Sequence, residues 1–193
     1  MKAIVEFKKS SSEKIFVLLF IMGAFASCKD KSTETPDPIN QSELITKVQL
    51  VFRDSITNNI VQTATFSDLD GPGGNVATLD SILLSSNTTY YMDIVVLDET
   101  KTPVDTISNE ILNEGDVHLF VFSPNPTSNF LETNLLDLDI NFKPIGLSSI
   151  LKTSAAGVGT YTVELRHFTS EQAKADNLVY DTDISILFNV RLQ

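Results

Sequence analysis

The chain has 193 residues, with 14 Lys and Arg against 25 Asp and Glu, a formal charge of −11, two histidines, one cysteine, four tyrosines and no tryptophan. That balance excludes a groove tracking nucleic-acid phosphates, which needs clustered basic side chains, and a lone cysteine excludes a disulfide within the chain. The scarcity of Tyr and Trp also argues against the aromatic girdles of a transmembrane β-barrel.

The first 27 residues have the layout of a secretory signal: Lys2, Lys8, Lys9 and Lys14, an apolar run over 15–25, then the small pair Ala26-Ser27 ahead of Cys28. The run is shorter than the ~20 residues of a transmembrane helix. Phe25-Ala26-Ser27-Cys28 is similar to the lipobox of bacterial lipoproteins, with phenylalanine where leucine is commonest. The likeness implies that Cys28 becomes the mature N-terminus and carries the covalent lipid, a diacylglyceryl group on sulfur and a further acyl chain on the amine. Several chains make a durable membrane anchor where one binds only marginally. An ordinary signal-peptidase flank or a buried free thiol is the alternative. Cleavage before Cys28 leaves a mature chain of about −13 with about ten basic residues. Residues 28–43 follow as the acylated cysteine and a linker; KDKSTETPDPINQS over 29–42 has two prolines and one apolar side chain, so it is expected to be disordered. Residues 44–193 suffice for one domain with a real core.

From Leu44 the apolar residues recur at every second position, the period of a half-buried strand. Leu44, Val48, Leu50 and Phe52 share one face, opposed by Lys47, Gln49 and Arg53. Polar residues 54–59 predict a turn into a second strand over 60–66, the two pairing as a hairpin. Further strands are predicted over 79–84, 88–97 (Tyr90, Met92, Ile94 and Val96 inward), 117–122, 135–142, 160–168 and 183–192, the last with Ile184, Ile186, Phe188, Val190 and Leu192 in alternation. Residues 106–113 and 170–175 read as short helices, Gly115 ending the first. About eight strands with polar turns predict an all-β fold, an immunoglobulin-like or transthyretin-like sandwich of antiparallel strands, with barrel closure as the alternative.

Two groups of residues can carry chemistry. Asp68 and Asp70 with Gly71, Gly73 and Gly74 have the alternating carboxylates and tight turn of a calcium loop, although Pro72 stands at the next alternate position and the closing glutamate is missing. An acidic turn capping its own backbone accounts for the same residues. Glu114, Asp116 and His118 lie two apart and would share a face if the strand begins early. With His167 on a facing strand they could hold zinc or copper, or ligate haem iron. Against that, His118 beside Phe120 and Phe122 also fits a half-buried histidine bonded to a backbone oxygen. There is no Gly-x-Ser-x-Gly elbow and the one thiol is assigned to lipid, so no enzymatic activity is expected.

The phrases DLDGPGGN (68–75), NTTYY (87–91), EGDVHLF (114–120), LRHF (165–168) and TDISILFNVRL (182–192) together resemble a group of Bacteroidota lipoproteins without assigned activity. The resemblance implies a cell-envelope protein, lipid-anchored at the outer membrane on its periplasmic or cell-surface side, and a partner such as a TonB-dependent receptor. The expected function is a non-enzymatic binding or interaction module accessory to such a receptor. The alternative is a metal- or haem-binding lipoprotein for nutrient uptake using His118 and His167.

Overall fold

The structure, a computed structural model, describes residues 44–71, 73–126 and 130–193. The signal segment, Cys28 and the linker lie outside the described residues. Among the described residues ten strands and two short helices follow Leu44, against the eight strands expected. The first two, β1 (Lys47–Asp54) and β2 (Ile60–Ser67), form the predicted hairpin. Its turn closes because Asp54 Oδ1 accepts from the amides of Ile56 and Thr57 and from the Thr57 hydroxyl, while Asn58 takes the left-handed backbone that asparagine tolerates. Val48, Leu50 and Phe52 are fully buried. Leu44, expected on the same face, precedes the strand and is exposed.

The strand predicted over 79–84 is two strands. β3 (Thr78–Leu79) pairs with β2, and β4 (Ile82–Leu84) joins a different sheet. Between them Asp80 exchanges bonds with Thr65, and the Gln62 side chain donates to Ser81 O and accepts from Leu83 N, both at 2.8 Å. The chain thus turns a corner between layers. β5 (Thr89–Leu97) buries Tyr90, Met92, Ile94 and Val96 as its alternation predicted. Helix α1 (Ile107–Asn113) leads to β6 (His118–Asn125), followed by β7 (Leu131–Leu135), β8 (Ser148–Thr153), β9 (Gly157–Phe168), helix α2 (Glu171–Asp176) and β10 (Tyr180–Leu192).

One sheet has the order β3-β2-β1-β5-β8-β7 and the other β4-β10-β9-β6. Two sheets around one core settle the architecture as an all-β sandwich rather than a closed barrel. Every ladder is antiparallel except β4 with β10, which run parallel because the chain reaches β4 by crossing over from the larger sheet. Leu50, Phe52 and Met92 from one layer and Phe120, Tyr161 and Phe188 from the other fill the core. The Tyr161 hydroxyl meets the Thr133 hydroxyl across the layers at 2.6 Å, so this buried phenol has a partner.

The strand expected over 135–142 does not form, although its alternation is real. β7 ends at Leu135, and the carboxylates then turn inward. Asp137 accepts from the amides of Gly146, Leu147 and Ser148 at 3.0, 2.9 and 3.2 Å. Asp139 accepts from the amides of Asn141 and Lys143 and pairs at 2.7 Å with Lys174 of α2, both side chains 2 % exposed. Ile140 and Phe142 are left 85 % and 81 % exposed. Bonds to charged groups contribute roughly 1.5–3 kcal/mol each, and several of them together outweigh the burial of two apolar side chains at ~1.5–3 kcal/mol apiece.

Burial opposes charge on Asp139, but the Lys174 ammonium and the loop amides together hold its carboxyl below the usual range. A lowered folded-state value stabilises the protein above the unfolded value near 4 and is lost as pH falls through the folded one. Lys174→Met leaves that carboxylate buried without its cation, with an expected loss of about 3–5 kcal/mol in urea unfolding at pH 7. The double variant Asp139→Leu, Lys174→Met recovers most of it, and the difference between single and double variants shrinks as pH falls toward 4, where the unpaired carboxyl takes up a proton.

Candidate metal centre

The smaller sheet brings three polar side chains together at one end of the core. β6 and β9 pair with His118 directly opposite His167, and both extend rows of core residues: Phe120 follows in β6, Leu165 and Val163 in β9. The two rings lie 4.4 Å apart between centroids and tilt by 38°. On the other flank, the β9–β10 register shifts between Thr182 and Ile184. Asp183 is the extra residue of this bulge, and a bulge re-aims a side chain that regular alternation would send elsewhere. Asp183 Oδ2 stands 4.0 Å from His118 Nε2 and 3.9 Å from His167 Nδ1. Among the described residues, His118, His167 and Asp183 form a group whose ligand atoms all lie within 4.8 Å of one another.

The preceding turn sets the tautomer of His118. Its Nδ1 lies 2.9 Å from the carbonyl oxygen of Glu114, which can only accept, so Nδ1 carries the proton and Nε2 presents its lone pair toward Asp183. Such a bond orients and sharpens metal-binding histidines. Glu114 is the C-cap of α1, its amide bonded to Glu110 O. Lys174 Nζ donates to the next carbonyl, Gly115 O, and Phe168 N donates to Val117 O at 2.8 Å. The inward aspartate loop, α2 and the turn ahead of His118 are therefore one connected frame.

Burial holds His118 below the usual histidine range, reinforced by His167 and opposed by the Glu114 carbonyl and Asp183. Burial likewise pushes Asp183 above the usual carboxylate range, opposed by the two imidazoles. At neutral pH His118 is thus an uncharged donor, and burial disfavours the charged form of Asp183, an arrangement that a cation would relieve.

The expected ligand set is partly reassigned. His118 and His167 meet as expected, but β6 begins only at His118, so Glu114 and Asp116 do not alternate on one strand face with it. Glu114 contributes a backbone oxygen and neither acid belongs to the group. Asp183, which stands within the stretch 182–192 noted above, takes their place. A bulge leaves no mark in the hydrophobic pattern, and position alone gave no reason to choose this aspartate. In the loop of Asp68 and Asp70, Asp70 Oδ2 accepts from the Asn75 amide and side chain at 2.9 and 2.7 Å, closing its own turn with Gly71 and Gly73 at positive φ. Cys28 lies outside the described residues.

No helix among the described residues is long and apolar enough to cross a membrane. Comparison with protein-family profiles, curated proteins and solved structures found no match.

The lowered value at His118 fixes the sign of a pH effect. Below about pH 6.5 the unfolded chain gains a proton there that the folded chain refuses. Urea midpoints of the metal-free protein should therefore fall as pH drops from 6.5, levelling once the folded value is passed. In His118→Phe that part of the slope is expected to vanish.

Proposed function

We propose that this protein is a non-enzymatic, lipid-anchored envelope module that binds one divalent transition-metal ion, zinc or a close analogue, through His118 Nε2, His167 Nδ1 and Asp183. The observation that carries this reading is the convergence of two imidazoles and a carboxylate from three adjacent strands. Two nitrogens and one oxygen are a donor set that suits zinc and copper. Ligand atoms of a tetrahedral zinc stand ~3.4 Å apart for bonds of 2.0–2.1 Å, so the carboxylate separations of 3.9 and 4.0 Å need to close by about half an ångström, and the nitrogen pair, within a group that spans up to 4.8 Å, by more. Three protein ligands leave a position for water or for a donor on a partner. A Cys28 anchor and a place beside a TonB-dependent receptor would make the module a metal-capturing accessory to uptake.

A bare ion fits better than haem. Two imidazoles on one haem iron sit on opposite faces of the macrocycle, with ring centroids roughly 6 Å apart. Here the rings are cross-strand neighbours at 4.4 Å, with no slot between them for a porphyrin.

Zinc titration of the purified full-length chain against a chromophoric chelator tests the reading. One ion per chain is expected, with His118→Ala, His167→Ala and Asp183→Asn each weakening binding by more than about 100-fold, beyond the 10–100-fold typical of outer-shell changes. Zinc at 100 times its dissociation constant should stabilise the wild-type protein by ~2.7 kcal/mol and leave the variants unmoved. Saturable binding that survives all three substitutions, or none at all, overturns the proposal. Asp183→Asn should also raise the stability of the metal-free protein at pH 7, since burial disfavours the charged form of the carboxyl that it removes.

A further inference from the structure

The metal end of the sandwich also carries a group of exposed apolar side chains. β1 starts at Lys47, opposite Leu97 of β5 and Ser67 of β2, so Leu44 enters at the same end as the loops after β2 and β5. β8 starts at Ser148 opposite Asp93, and the loop joining β7 to β8 therefore projects beyond β5 in that direction too. So do α1, which leads into His118, and the segment joining α2 to β10. Large apolar side chains left in water gather there: Val76 at 95 %, Val104 at 49 %, Leu138 at 52 %, Ile140 at 85 %, Phe142 at 81 % and Val179 at 71 %.

The loop that holds Ile140 and Phe142 is built to present them. Asp137 and Asp139 face inward on backbone amides and Lys174, the Asn141 side chain donates to Glu171, and Phe142 takes a left-handed backbone at φ 58°, which a bulky residue rarely adopts. The turn thus withdraws its acids and exposes its apolar side chains on a stiff frame, with Lys143 beside them.

We infer that this end of the domain docks on a lipid bilayer, with Ile140 and Phe142 entering the interfacial layer. The inference rests on the reading of Cys28 as the acylated residue. Leu44 lies sixteen residues after Cys28, and that length cannot span more than about 55 Å, so the anchor keeps the Leu44 end within reach of the membrane. The acidic charge of the chain disfavours anionic headgroups, which makes a zwitterionic surface the occupant that fits. Docking would put the metal centre against the membrane, where an ion could pass to or from a receptor embedded in it.

The absence of tryptophan gives a clean test. Full-length acylated protein carrying Phe142→Trp, Ile140→Trp or Ile56→Trp is reconstituted in zwitterionic vesicles with or without brominated acyl chains. Ile56 is 91 % exposed in the turn between β1 and β2, at the opposite end. Emission from Phe142→Trp and Ile140→Trp should shift to the blue and fall at least two-fold with brominated lipid, while Ile56→Trp stays unchanged. Equal, unquenched emission from all three in protein that floats with vesicles overturns the docking and leaves the anchor standing. A blue shift that follows protein concentration without quenching assigns the loop to a protein contact and overturns it as well. If the wild-type chain does not float, the anchor reading and the docking both fall; if it floats equally as Cys28→Ser, the anchor reading falls alone and the quenching of the tryptophan variants decides the docking.

Discussion

The pairing register of β9 is the constraint on which the site depends. This twelve-residue strand lies between β6 and β10 in the smaller sheet, so its register on one side sets His118 against His167 and on the other places the bulge at Asp183. A slip by one residue would carry Tyr161, Val163, Leu165 and His167 together to the outer face. The burial of those apolar neighbours thus locks the histidines in place, and the candidate site inherits its geometry from the core. Asp183 alone escapes the period of two, because the bulge adds a residue to β10 that has no partner in β9.

A second constraint ties the site to the loops around it. The Lys174–Asp139 pair is costly to bury, and an apolar pair of similar volume would often serve stability as well. Its placement gives it a further role: Lys174 also holds Gly115 O, one residue past the carbonyl that receives the His118 proton. The same pair turns Asp139 inward and so turns Ile140 and Phe142 outward. One buried ion pair thereby links the orientation of the His118 imidazole to the exposure of an apolar loop.

The cluster of His118, His167 and Asp183 is locally unfavourable in the metal-free protein. Burial weakens the charged form of His118 and raises the protonation of Asp183, opposing the ion pairs that would otherwise quiet the site. Conflict of this kind at a partly buried spot is common where a protein keeps donors ready for a ligand.

The sequence by itself determined the all-β class, the first hairpin, the two short helices and most core residues, because a period of two in apolar side chains is a direct consequence of one buried sheet face. It also singled out both histidines, as the chain has only two. Tertiary structure decided the rest. Residues 135–142 alternate as a strand would, yet the amides of 146–148 lie across a loop and Lys174 lies 35 residues on from Asp139, and only folding shows that they draw the aspartates inward and leave the apolar residues in water. The exchange of Glu114 and Asp116 for Asp183 has the same origin: where a strand begins and where it bulges depend on hydrogen bonds to neighbouring strands, and a hydrophobic pattern carries no record of them.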